Sequence, residues 1–283
     1  MDSVTHVLMG HAMGALAAAV APEAGPAVYW AALLGNSLPD VDVPLSLLLR
    51  RGIQLHRTYT HTLAGAAALS ATAAGLLAAA FPGAGPGQLF LWTLLGCLAH
   101  LAVDGLNLFG VRPFWPLSGR PVELGVLSLT DPWLLLVLGV PALGAKAGWL
   151  SARWVGTSFL AMWVYVAQRL RTAHRLHREL RAAGHRRARV VPWFSGWRYV
   201  AETAEAVEVG RWWRGRRVLL ESFAKQDDPR IAATLADPRV SRFLQEAEYP
   251  VALVQDGEVV WSDALLRLRA DFRPLRIPVR LGA

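Results

Sequence analysis

A single cysteine, Cys97, in 283 residues excludes an internal disulfide framework and any metal site built on several thiolates. Cys97 lies inside an apolar run, where a thiol serves as a small buried hydrophobe. Charge is also scarce. Asp, Glu, Lys and Arg make up 18% of the chain and hydrophobic residues 54%, with mean hydropathy +0.32. Soluble domains carry about a quarter charged residues, so this composition points to a membrane protein. A basic leader is lacking too: Asp2 and His6 stand where a signal peptide carries Lys or Arg. No cleavable signal is therefore expected, and the first apolar stretch is expected to be retained.

The formal charge of +8 is local. Residues 190–283 hold 14 Lys/Arg against 13 Asp/Glu, whereas 1–189 hold 15 against 8. Eight of those 15 are Arg169, Arg171, Arg175, Arg178, Arg181, Arg186, Arg187 and Arg189. One juxtamembrane block is not a nucleic-acid-binding surface, and no nucleic-acid partner is expected.

About six apolar segments are present: 7–21, 27–38, 63–81, 88–103, 132–150 and 154–170. The three longest runs approach the roughly 20 residues that a bilayer crossing requires. The first two are shorter and rich in Ala and Gly, either a partial hairpin or two full spans. Pro/Gly connectors at 22–26 and 82–87 make tight turns. The expected fold is mainly α: a polytopic helical membrane domain over 1–170, an Arg-rich linker over 171–189 and a small soluble α+β domain over 190–283. In that last domain, 211–220 reads as a strand with a turn, 237–246 as a helix, and 250–261 as a hairpin about Asp256-Gly257. Residues 265–281 add one or two strand-like stretches.

The positive-inside rule places the Arg block in the cytoplasm. Counting back through six crossings puts the N-terminus, 39–62 and 104–131 on that side of a prokaryotic inner membrane, with the C-terminal domain cytoplasmic. The 22–26, 82–87 and 146–153 turns face outward. This count, made on Lys and Arg alone, also gathers the polar islands of the apolar half on one face. They are Asp2–His6, Leu38–Asp42, His56–Thr62, His100–Asp104 and Thr130–Pro132. Ionisable groups next to hydrocarbon are costly and usually functional.

Imidazole and carboxylate are the ligands of zinc and related divalent ions. His100 and Asp104 are four apart on a helix, as are Asp2 and His6, so each pair shares a face. Asp40-x-Asp42 follows Pro39 in an extended or turn segment, and His56 and His61 bracket a polar stretch before a span. His6, His56, His61, His100, Asp40, Asp42 and Asp104 suffice for one divalent metal, zinc foremost, and are compatible with two. In such a site Asp40 or Asp42 ligates or acts as general base, and Arg57 steadies an anionic substrate group. Blander roles are expected elsewhere. Asp131 before Pro132 reads as a helix cap, His11 as packing, and His174, His177 and His185 as solvated surface. Asn107 caps the helix ending near Asp104 or hydrogen-bonds a substrate.

Thr5-His6, Leu38-Pro39-Asp40-Val41-Asp42, His56-Arg57-x-x-Thr60-His61, and His100-x3-Asp104-x2-Asn107-x2-Gly110 with Phe114-Trp115-Pro116 resemble the YdjM/YfhP-like family. Its members are described as membrane-bound, metal-dependent hydrolases. The likeness covers roughly residues 1–135. It implies a multi-span inner-membrane protein with ligands at His6, Asp40, His61, His100 and Asp104. A more distant similarity is to zinc-dependent phospholipase C and the single-strand nucleases, and it implies phosphoester hydrolysis. Those enzymes add a later His-x3-Glu pair that is missing here after residue 104. The leading expectation is a membrane-embedded metal-dependent hydrolase with membrane lipids around it and a phosphoester, possibly a lipid, as substrate. The alternatives are a metal-ion or small-solute transporter, and a non-catalytic scaffold holding a structural metal.

Overall fold

The computed structural model describes residues 1–43, 59–194, 196–266 and 275–278. His56 and Arg57, both expected in the site, lie outside the described residues, as do Arg50 and Arg51. The chain divides into two compact units, Met1–Arg171 and Thr172–Ala283.

Short side chains with capping signals at their ends build the first unit from helices. Helix α1 (Ser3–Val20) starts at Asp2, whose carboxylate accepts the Thr5 N–H. Helix α2 (Ala27–Ser37) passes into a 3-10 turn, Leu38–Val41, at Pro39, which has no N–H to continue an α-helix. Helix α3 (Leu63–Ala80) is capped by the Thr62 hydroxyl accepting from Gly65 N. Helix α4 (Pro86–Gly105) opens on a proline in its first turn. Helix α5 (Pro132–Lys146) starts at Asp131, which accepts the N–H groups of Trp133 and Leu134. Asp131 is thus the cap the sequence suggested, and the Tyr165 hydroxyl donates to it as well. Helix α6 runs from Ala152 to Ala182.

Helix α2 packs between α1 and α4, and α3 packs on α4. The α2–α4 contact is close because two glycines face the opposing backbone. A Cβ on Gly35 would lie 2.1 Å from the Thr93 carbonyl oxygen, and one on Gly96 would lie 2.7 Å from that of Ala32. Without a hydrophobic drive between helices in lipid, such backbone approach supplies the packing. Polarity is correspondingly inverted: Leu76, Val140 and Val164 are exposed, while His6, Asn36, His61, His100, Asp104 and Asn107 are buried.

Three helices, Ser3–Val20, Leu63–Ala80 and Pro86–Gly105, are long and apolar enough to cross a membrane. Pro132–Lys146 is apolar but shorter. The 11 residues of α2 rise only about 16 Å, roughly half the hydrocarbon thickness. Of the six crossings expected, three are matched by helices of sufficient length and hydropathy among the described residues.

The second unit is α+β. A four-stranded antiparallel sheet runs in order β1 (Arg187–Trp193), β2 (Gly196–Glu202), β3 (Ala206–Trp213) and β4 (Arg216–Ala224). A three-stranded sheet follows, of β5 (Pro250–Gln255), β6 (Glu258–Asp263) and β7 (Leu275–Pro278), preceded by α7 (Pro229–Thr234) and α8 (Pro238–Glu246). Val200, Val207, Val209 and Phe223 of the larger sheet pack on Tyr249 and Val251. The hairpin expected at Asp256-Gly257 is present, with φ of 49° and 78°. Arg214-Gly215 makes the same positive-φ turn between β3 and β4.

Two stretches differ from expectation. Residues 171–189 are not extended linker: α6 continues to Ala182, burying Ala173, Leu176 and Leu180 at helical spacing, and β1 begins at Arg187. His185 is buried rather than solvated. The chain reverses at Gly184 (φ 88°), so Nδ1 of His185 meets the Leu180 carbonyl at 2.9 Å and Nε2 meets Glu208 at 2.9 Å.

A Gly35→Ala substitution is expected to lower stability in detergent by at least about 1–3 kcal/mol, the usual cost of overpacking. Gly75→Ala, where an added Cβ meets nothing within 4 Å, is expected to be silent or slightly stabilising. Thermal-shift measurements on both variants check this, and equal melting temperatures would refute the close-packing account.

Candidate metal centre

The order of helices brings the polar islands together. Helix α1 begins, α2 ends, α3 begins and α4 ends at the same end of the bundle, where His6, Asp40, His61, His100 and Asp104 converge. The residue just before the fifth island joins through its backbone, Asp2 N–H donating to the Leu129 carbonyl at 3.0 Å.

Four donor atoms lie closest. His61 Nε2 is 3.3 Å from His100 Nε2, 3.5 Å from Asp40 Oδ1 and 3.6 Å from Asp104 Oδ2. His100 Nε2 is 3.6 Å from Asp40 Oδ1 and 3.9 Å from Asp104 Oδ2. Bonds of about 2.0–2.2 Å to a tetrahedral ion give donor–donor edges of about 3.3–3.6 Å, so the separations among His61, His100 and Asp40 suit one divalent cation, with Asp104 at the edge of the same group. His61, His100 and Asp104 are fully or almost fully buried, while the Asp40 side chain keeps 14% exposure.

Neighbouring groups fix which nitrogen faces the cluster. Nδ1 of His100 lies 2.8 Å from the Asn36 carbonyl, which can only accept, so this nitrogen carries the proton and Nε2 presents a lone pair. The Thr60 hydroxyl donates to Asp42 Oδ2 at 2.6 Å, leaving its oxygen to accept from Nδ1 of His61 at 3.0 Å. Asp42 itself is 3.5 Å from that Nδ1, behind the ring, and not on the side where the four donors meet. Asp42 is placed to orient His61 where the sequence reading put it among the ligands.

His6 reaches the cluster through Asp104, its Nε2 lying 3.2 Å from Oδ1, and its ring stacks on that of His100 with centroids 3.6 Å apart. Nδ1 of His6 is buried with no hydrogen-bond partner among the described residues. His6, His100 and Asp104 form a second triad, with donor atoms within 4.8 Å of one another, that shares His100 with the triad Asp40, His61 and His100. The Met1 amino group also lies against Asp104. Asn107 donates to Asp104 at 3.3 Å and accepts from Phe109 and Gly110 N–H, steadying the carboxylate from the loop after α4. His11 packs away from this group, Nδ1 2.6 Å from the Tyr29 hydroxyl.

Burial alone would raise the Asp40 carboxyl, but hydrogen bonding to His61 and the nearby imidazoles outweigh it and hold it at about 2. Burial likewise opposes protonation of His61, yet hydrogen bonds to Asp40 and Asp42 and the carboxylate charges raise it above 6.5. The carboxylates around His61 thus draw positive charge onto that imidazole. Asn36 and Thr60 were not singled out from the sequence as site residues. The signal for Asn36 was the same as for the islands, a polar residue at the buried end of an apolar run.

The model of the family described as YdjM inner membrane protein matches residues 1–176, which include every residue of this cluster. The chain belongs to the YdjM family of inner membrane proteins. It is also 32% identical over 271 residues to the uncharacterized protein YfhP of Bacillus subtilis (strain 168), covering 86% of this chain and 81% of that protein. No solved structure matches. The family match ends within α6, and the YfhP likeness extends beyond it.

Purified protein is expected to bind divalent metal, and His100→Ala and Asp40→Asn each to abolish binding, by elemental analysis after dialysis. Asp42→Asn, which loosens an orienting group, is expected to weaken affinity roughly 10–100-fold without abolishing it. Metal must displace a proton that His61 holds above 6.5, so apparent affinity is expected to climb with pH through that higher range and fall as His61 protonates. Chelator competition across pH measures both.

Proposed function

We propose that this protein is a metal-dependent hydrolase of a phosphoester, with a membrane lipid as the natural substrate class and zinc as the ion. The observation that carries the reading is the convergence of His61, His100 and Asp40 at spacings that suit one tetrahedral ion, with Asp104 within 3.9 Å of both imidazoles, at one end of a bundle whose helices are apolar enough to span a membrane. A divalent ion held there would lower the pKa of bound water to about 7 and polarise a phosphoryl oxygen. Asn36 and Thr60 keep the two imidazoles in the ligating tautomer. Asp40 is the most exposed of the four donors and borders the approach from solvent. His6, whose Nε2 lies beside Asp104 and whose Nδ1 has no hydrogen-bond partner among the described residues, is assigned to accept a proton near the reacting centre. Arg57, outside the described residues, is assigned to the substrate phosphate.

The excess of Arg in the last turns of α6 and just after it supports a cytoplasmic placing of the site and of the C-terminal unit, in a multi-pass topology. One feature favours a second reading, a structural metal: three of the four donors are shut off from solvent. The transport reading draws less support. The buried hydroxyls of Ser70 and Thr93 within the spans bond back to the carbonyls of Ala66 and Leu89.

Protein in proteoliposomes, loaded with zinc, is expected to release phosphate or a phosphorylated headgroup from a panel of phospholipids and soluble phosphomonoesters. His6→Ala is expected to keep the metal yet lose roughly 100-fold or more in turnover, the scale of general-base catalysis. Full metal loading with no turnover on any member of the panel would refute hydrolysis in favour of the structural reading.

A further inference from the structure

The C-terminal unit carries a feature that the metal centre does not use. Strands β1–β4 pair in order, so the β1–β2 and β3–β4 turns lie at the same end of the sheet. The residues at that end are 193–198, Trp-Phe-Ser-Gly-Trp-Arg, and 211–218, Arg-Trp-Trp-Arg-Gly-Arg-Arg-Val. They contain five arginines, five aromatic residues and no acid. Trp197 and Trp212 are buried, but Trp193, Phe194 and Trp213 are 46%, 74% and 55% exposed. Large aromatic side chains held out on hairpin tips cost free energy in water and mark a contact surface.

Cations are held among these rings. The Arg198 guanidinium stacks 3.3 Å over Trp193, and Arg211 lies 5.1 Å from the centre of Trp213. Arg198 and Arg211 are direct cross-strand partners, so two like charges sit side by side on the sheet. Arg211, Arg214, Arg216 and Arg217 enter no salt bridge among the described residues. Elsewhere in the unit several basic side chains pair with acids, Arg189 with Glu248 at 2.9 Å and Lys225 with Glu202 at 2.6 Å. Stacking explains Arg198 and Arg211. It does not explain Phe194, or the unpaired arginines of the β3–β4 turn.

We propose that this end of the sheet docks on the anionic headgroups of the bilayer that holds the rest of the chain. The three exposed aromatics enter the interfacial layer, where amphipathic rings are favoured, and the arginines engage lipid phosphates. Charge complementarity selects the occupant: two turn segments with five arginines and no acid, the Glu179 carboxylate meeting the Trp212 indole at 3.2 Å, on a chain belonging to a membrane family, match phospholipid phosphate as the extended anion at hand.

The test uses the full-length chain with Cys97→Ala and a spin label on Phe194→Cys, in nanodiscs of phosphatidylcholine alone or mixed with phosphatidylglycerol. The label is expected to be reached by oxygen and shielded from a water-soluble relaxer in anionic discs, and to become water-accessible at high salt. Each basic residue near an anionic surface contributes roughly a five-fold factor, so Arg216→Glu with Arg217→Glu is expected to cut the docked population more than tenfold. Equal water exposure in both lipids, or immobilisation only on adding RNA or DNA, overturns the proposal. If the labelled variant fails to fold, amide hydrogen exchange of the unmodified protein decides. Slower exchange over 193–197 and 212–217 in anionic discs supports docking, and exchange independent of lipid charge overturns it.

Discussion

The hydrogen bond from His100 Nδ1 to the Asn36 carbonyl, across the α2–α4 contact, is the constraint on which the buried end of the bundle rests. It forms only because Gly35 and Gly96 let the two backbones approach. It commits one nitrogen of His100 and frees the other toward Asp40, His61 and Asp104. Helix packing and donor orientation are therefore the same event. A side chain at Gly35 would move the carbonyl that sets the tautomer as well as the helix that carries Asp40.

Lipid makes this coupling possible. Apolar contacts between helices gain little over contacts with acyl chains, so the interior is available for polar groups and backbone proximity. The first unit accordingly buries histidine, aspartate and asparagine beside its buried leucines and alanines, and leaves leucines and valines such as Leu76 and Val164 outward. The second unit has a Val/Phe/Tyr core between sheets and charged pairs at the rim.

Much of this was legible in the residues. The islands were visible because ionisable side chains are conspicuous in apolar runs, and connector parity was enough to bring them to one end. The Asp256-Gly257 hairpin, the Asp131 cap and the helix read at 237–246 follow from local turn and helix chemistry. What escaped depends on tertiary contact. Arg187–Trp193 reads as part of a basic run, and only its pairing with β2 makes it a strand. His185 looks solvated until the turn at Gly184 returns it to Glu208. Asp42 is indistinguishable from Asp40 in sequence, and the Thr60 hydroxyl and the position of the His61 ring separate their roles.

The donors at positions 40, 61, 100 and 104 belong to segments far apart along the chain, His61 and His100 being separated by 39 residues. An ion gripping all of them is a cross-link that closes long loops, and its binding free energy adds directly to the stability of the folded bundle. The short 3-10 turn carrying Asp40 lacks the ladder of hydrogen bonds that holds α4, so occupancy matters most there. Scarcity of the ion would thus be felt first as a loosening of the protein's own architecture, tying its persistence in the cell to the local supply of metal.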